Sequence, residues 1–245
     1  DNTPRVQFYT MGRNRWESAD SWPPGDAEPM TLYLASGGSA NSVFGDGTLS
    51  AEAPAAGAGA DTFTYDPMNP VPSLGGGVCC NREASLGGSF DQRGIEARQD
   101  VLVYTSGPLE QDTDVTGFIR ARLFVSSDAR DTDFTVKLVD VHPDGSAWNV
   151  DDTILRARYR DGYDQEVFME DGQVYELNPT AMSTSYEFKA GHRIRVEIAS
   201  SKFPQYMRNL NTGGNNYDET EGVVARNTVH HSPEYPSHIV LPVRR

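Results

Sequence analysis

Apolar and polar positions alternate with a period of two along most of this chain, the pattern of strands with one buried face. The stretch "TDFTVKLVDVHPDGSAWNV", residues 132–150, shows it most clearly. Phe134, Val136 and Leu138 fall on one side, taken as the buried one, and Thr135 and Lys137 on the other. Leu138 and Val139 are then consecutive and apolar, so an unbroken register would carry Asp140 to the buried side. A β-bulge at this point restores the phase. In "HPDG", Pro143 presets φ for a turn, Asp144 can bond its own backbone and Gly145 accepts a positive φ. The stretch is predicted to be a hairpin.

Segments 5–10, 30–35, 61–66, 100–106, 118–127, 154–160, 173–178, 192–201 and 238–243 alternate in the same way. With the hairpin they make about ten candidate strands, which predicts an all-β jelly-roll sandwich rather than a βαβ architecture. One short helix is predicted at "RWESADSW" (15–22), where Trp16, Ala19 and Asp20 have helical spacing. The connections 53–61 and 67–90 are rich in Pro, Gly and Ala. The second is too long for an idle link in a compact domain, so it is either disordered or ordered by something outside the domain.

A chain of 245 residues suffices for one large all-β domain or two small ones. Hydrophobic residues make up 37% and no apolar run reaches the length of a membrane span. With 21 basic and 35 acidic side chains the net charge is −14, which argues against nucleic acid or an anionic membrane as partner. The protein is expected to be soluble, in the bacterial cytoplasm or secreted. Cys79 and Cys80 are adjacent, with no further ligand nearby, so they are expected to be free thiols in a Gly-rich loop and no metal site is expected. Asp1 is not a translation start and no signal peptide follows it, so the chain is expected to be a processed product or an excised fragment.

No catalytic constellation stands out. Gly-x-Ser-x-Gly is absent, and the nearest strings, "GGSAN" and "GGSFD", leave Ser39 and Ser89 as loop serines. None of the five histidines has a sequence neighbour that marks it as a base. Asp128, Asp131 and Asp133 lack the Gly and Glu of a calcium loop and are read as turn caps. Without Gly-x-Gly-x-x-Gly there is no sign of a nucleotide, and no cofactor is expected. Arg156, Arg158 and Arg160 would share one face of a strand, pairing with carboxylates such as Glu166, Glu170 or Asp171, or else forming an anion-binding groove.

Six strings carry a resemblance: "WESADSWPP", "YDPMNPVPSLGG", "DQRGIEARQDVLVYTSGPLEQDTDVTG", "DTDFTVKLVDVHPDGSAWNVDDTILRARYRDGY", "FKAGHRIRVEIASSKFPQYMRNLNTG" and "HHSPEYPSHIVLPV". They span nearly the whole chain. It resembles the C-terminal region of the cocaine esterase and X-Pro dipeptidyl-peptidase family of serine hydrolases, the CocE/NonD group, with α-amino acid ester hydrolases and glutaryl-cephalosporanic acid acylases.

The resemblance implies a galactose-binding-domain-like jelly roll. Residues 1–90 would be lead-in strands and long loops packing on a main body at 91–245, in all one compact domain. It places nucleophile, acid and triad histidine upstream, so no catalytic residue is carried over to this chain, which would be inactive alone. Its partners would be the α/β-hydrolase catalytic domain and helical cap of the same protein and a second copy in a homodimer, the domain supporting packing, dimerisation and pocket shape. An apolar patch would mark the docking face. The segment Leu74, Gly75, Gly76, Gly77, Val78, Cys79 and Cys80 would reach the substrate pocket or cover the interdomain interface. Phe203, Arg208 and Asn209 would fix a structural corner. Two other readings remain: an independent carbohydrate-binding module using Trp16, Trp22 and Trp148, and a self-sufficient hydrolase with an unrecognised triad.

Overall fold

The computed structural model describes residues 3–78 and 86–244. The first half contributes strands β1 (Val6–Thr10), β2 (Arg15–Ala19), β3 (Ala27–Ala35), β4 (Thr48–Ser50) and β5 (Ala60–Tyr65), then a single helical turn, α1 (Arg93–Glu96), and β6 (Leu102–Thr105). The second half holds β7 (Thr113–Ser127), β8 (Asp133–Val141), β9 (Ala147–Arg156), β10 (Tyr175–Leu177), β11 (Met182–Phe188), β12 (Arg193–Ala199), β13 (Ala225–His230) and β14 (His238–Arg244). The fold is all-β, as the alternation predicts.

Twelve strands form one continuous sheet in the order β5-β13-β7-β14-β3-β4-β6-β12-β8-β9, with β10 and β11 also paired to β7. The 15-residue β7 makes the sandwich possible by changing partners along its length. Its first half pairs with β11 and its last residues with β10 and β13. The sheet thereby curls around one core containing Leu34, Tyr104, Ile119, Leu123, Phe134 and Ile194. Phe63 of β5 and Phe134 of β8, near opposite ends of the strand order, meet across it.

The β8–β9 hairpin forms as predicted. Its pairing shifts between Leu138 and Val139, where the bulge was expected. The turn closes with the His142 amide donating to the Ser146 carbonyl at 2.8 Å, and Gly145 at φ 86°. The expectation of a single buried face is corrected: every residue of β8 is buried. β12 and β9 flank the strand, and the side chain of Lys137 lies under the segment around α1, donating to Gln92 Oε1 at 2.8 Å.

The helix predicted at 15–22 is also corrected, because Arg15–Ala19 is a strand antiparallel to β1. Gly12 at φ 80° and Asn14 at φ 56° accept left-handed backbone and turn the chain back on itself, and pairing overrides the local spacing. Segment 154–160 is not one strand either, since β9 ends at Arg156 and Ala157–Tyr159 is a turn of 3-10 helix.

The described part of 67–90 is ordered by the domain itself. The Val71 amide donates to Ser201 Oγ at 2.8 Å, the Phe203 amide to the Val71 carbonyl at 2.9 Å and the Ser73 amide to the Phe203 carbonyl at 2.7 Å. No helix among the described residues is long and apolar enough to cross a membrane.

Candidate functional site

The segment from Leu74 to Val78 runs over the outer side of the sheet. Leu74 packs against a small apolar cluster that includes Val71, Ile95 and Val101, and its carbonyl accepts from Gln92 Nε2 at 3.0 Å. Gly75 and Gly76 have φ of 74° and 112°, and the space is tight. A Cβ on Gly75 would stand 2.5 Å from the Gly88 carbonyl oxygen, and one on Gly76 2.5 Å from Lys202 Nζ. Gly76 and Gly88 exchange backbone hydrogen bonds of 2.8 and 3.0 Å. Asn149 fastens the same place, its Nδ2 donating to the Gly88 carbonyl at 3.0 Å and its Oδ1 accepting from the Phe90 amide at 2.7 Å. Gly76 and the exposed Gly77 line an open cavity of about 290 Å³ with Met11, Ser89, Asp151 and Tyr186. Cys79 and Cys80 lie outside the described residues.

A serine, a histidine and an aspartate do meet, but not as a catalytic relay. Ser36 Oγ is 3.0 Å from His231 Nε2, and the same nitrogen is 2.9 Å from Asp61 Oδ2. A relay needs hydroxyl and carboxylate on opposite ring nitrogens. Here Nδ1 of the fully buried His231 has no hydrogen-bond partner among the described residues, and Ser36 donates straight to Asp61 at 2.7–2.8 Å. Burial opposes charge on Asp61, yet hydrogen bonds from His231, the Ala40 amide, Ser36 and Tyr104 hold its carboxyl below the usual range. The group ties the chain after β3 to β5 and to the residue following β13. Ser39 and Ser89 are exposed, and Ser89 donates to the Asn149 carbonyl.

The three arginines are engaged individually. Arg156 binds Asp133 at 2.9 Å, and Arg158 binds buried Asp131 at 2.8 Å and Glu166 at 3.1 Å. Arg160 donates to the Ala157 and Val167 carbonyls and lies over the Tyr175 ring. Asp131 and Asp133 are thus ion-pair partners rather than turn caps, and of the three carboxylates expected to pair, Glu166 does so. Asp128 does not cap a local turn either: its carboxylate accepts from the amide of Arg226, in the distant strand β13, at 2.7 Å. Asn209 Nδ2 bridges Asp131 and Asp133 at 2.7 and 2.8 Å and Arg208 reaches the Pro67 carbonyl, whereas the side chain of Phe203, expected at the same corner, is exposed.

A cluster that sequence reasoning missed sits at the end of the β8–β9 hairpin. Asp140 Oδ1 is 2.9 Å from His192 Nδ1, and Asp140 Oδ2 is 3.3 Å from His142 Nε2 and accepts from Tyr186 Oη at 2.8 Å. The two imidazoles lie with centroids 4.3 Å apart and planes tilted by 37°. The available signal was the Asp-x-His spacing, which puts both side chains on one side of an extended chain. His192 joins because Arg193 pairs with Val141, a contact no local pattern reveals.

Apolar side chains are exposed around one loop group. Met68, Phe203, Met207, Val223 and Val224 are each 38–59% exposed. Their segments are tied together by Arg208 on the Pro67 carbonyl and by the Val223 amide on the Leu210 carbonyl. The tryptophans have separate neighbours: Trp16 meets Tyr9, Trp22 meets Phe8 and Trp148 lies near His142.

Fold and site together define an all-β module whose one serine–histidine–aspartate group among the described residues is built for structure. Residues 1–240 match the X-Pro dipeptidyl-peptidase C-terminal non-catalytic domain, and the chain belongs to that family. It is 46% identical over 242 residues to the cocaine esterase of Rhodococcus sp. (strain MB1 Bresler), covering 98% of this chain and 42% of that protein. Among solved structures it is similar to an aminopeptidase from a marine sediment Thaumarchaeota archaeon, with TM-score 0.87 and 30% identity over all of this chain and 41% of that one. An α-amino acid ester hydrolase superposes with TM-score 0.86 and 30% identity over 99% of this chain and 41% of that one. The chain thus spans about two fifths of the length of each relative.

Proposed function

We propose that this chain is the noncatalytic part of a serine hydrolase acting on esters or amides, where it packs on an α/β-hydrolase domain and cap and shapes the substrate pocket. The match of residues 1–240 to a non-catalytic domain carries this reading. The loop from Leu74 to Cys80 is the element assigned to the pocket or to its interdomain rim. Its support is the open cavity beside Gly76 and Gly77, held in place by Asn149. The exposed Met68, Phe203 and Met207 group is assigned to the contact with the catalytic part.

The test joins this chain to the catalytic and cap region of the Rhodococcus relative, in place of that protein's own C-terminal part. Ester turnover by the joined protein supports the reading, and a folded but inactive product argues against it. Among the described residues nothing lies within 4 Å of a Cβ added at Gly77, which lines the cavity, so Gly77→Phe adds bulk at its edge. A changed preference between short and bulky acyl groups would assign the loop to the pocket; unchanged selectivity would remove it. The domain is also assigned a part in dimerisation, which light scattering on the same protein reads: a dimer supports that role and a monomer removes it.

A further inference from the structure

We propose that Asp140, His142 and His192 form a binding site for a zinc-class divalent cation that fastens the end of the β8–β9 hairpin to the start of β12. One ligand atom from each residue lies within 4.8 Å of the others. Two imidazole nitrogens and a carboxylate oxygen are a donor set of zinc, and bonds near 2.1 Å would set tetrahedral donors about 3.4 Å apart. From the single oxygen Asp140 Oδ2 the separations are 3.0 Å to His192 Nδ1 and 3.3 Å to His142 Nε2, near that spacing.

Hydrogen bonding alone does not account for all three groups. Asp140 is already served by Tyr186 at 2.8 Å and by His192 at 2.9 Å. His142 Nε2, at 3.3 Å, is directed at the same carboxylate without making a further hydrogen bond among the described residues. The site is also reachable: the Asp140 side chain is 2% exposed, but that of His142 is 36% exposed, leaving room for water as a remaining ligand. Tyr186, which donates to Asp140, would act as the outer partner that orients the carboxylate. The hairpin turn holds His142 in place through the hydrogen bond that its backbone N–H donates to the Ser146 carbonyl.

The experiment titrates the tag-free chain with Co2+ and then Zn2+, after alkylating Cys79 and Cys80 so that their thiols cannot compete. The expected result is one Co2+ per chain, with a visible d–d absorption band that Zn2+ displaces, and a melting temperature raised by Zn2+. His142→Gln and His192→Ala should abolish the band, and Tyr186→Phe should weaken binding by about tenfold. Circular dichroism checks that each variant folds. Protection of His142 and His192 from diethyl pyrocarbonate by Zn2+ reads the same site in the unmutated chain, so misfolding of a variant leaves the test intact. Absence of stoichiometric binding, or binding that survives both histidine substitutions, overturns the proposal.

Discussion

The ring of Phe63 meets the ring of Phe134 edge-on, with 6.5 Å between centroids and 89° between planes. Both side chains are buried, and their strands stand near opposite ends of the sheet order. This contact closes the sandwich. Phe134→Ala should cost about 3–5 kcal/mol in denaturant unfolding. A double-mutant cycle with Phe63→Leu should show coupling, since edge-to-face pairs contribute about 0.5–1.5 kcal/mol beyond burial.

Lys137 and Glu197 form a buried ion pair of 2.7 Å beneath the segment that carries α1. Removing one charge strands the other. Lys137→Met should destabilise by about 3–5 kcal/mol, whereas Lys137→Met combined with Glu197→Leu should recover much of that loss. Urea titrations of the three proteins check both expectations.

Glu96 gives the fold a pH dependence of definite sign. Burial and the nearby Glu197 carboxylate push its pKa up to about 7, against the pull of Arg195 at 2.6 Å. The folded state therefore holds this proton more tightly than the unfolded chain, whose glutamate titrates near 4.5. The contribution of Glu96 is fully present below pH 4.5 and is lost as pH rises through about 7. Glu96→Gln should flatten that part of the stability-pH curve in thermal or urea melts.

Gly76 and Gly77 are neighbours with opposite tolerance. An alanine at Gly76 must hold φ near 112° and put its Cβ 2.5 Å from Lys202 Nζ, which is fixed by Asp152 at 2.5 Å. Gly76→Ala should lower stability by roughly 1–3 kcal/mol. Gly77→Ala, whose Cβ meets nothing among the described residues, should leave the melting temperature nearly unchanged.

Alternation made the β8–β9 hairpin, its bulge and its turn legible, because a period of two and a Pro-Asp-Gly turn are local signals. Strand β13 escaped because Asn227 occupies an inward position and is satisfied there by Ser127, Thr132 and Ser200. Lys137 looked solvent-facing because its buried partners, Gln92 and Glu197, are distant in sequence. The Asp140–His142–His192 cluster was hidden for the same reason, being assembled by strand pairing rather than by spacing. The family resemblance added what local patterns could not: an expected absence of nucleophile, acid and triad histidine from this chain.

That absence is tested most directly by intact mass after treatment with a fluorophosphonate probe, alongside an ester-hydrolysis assay on the isolated chain. The account predicts no adduct and no turnover, with Ser36 unlabelled despite its 3.0 Å approach to His231. A stoichiometric adduct on one serine would contradict it and give this chain a nucleophile of its own.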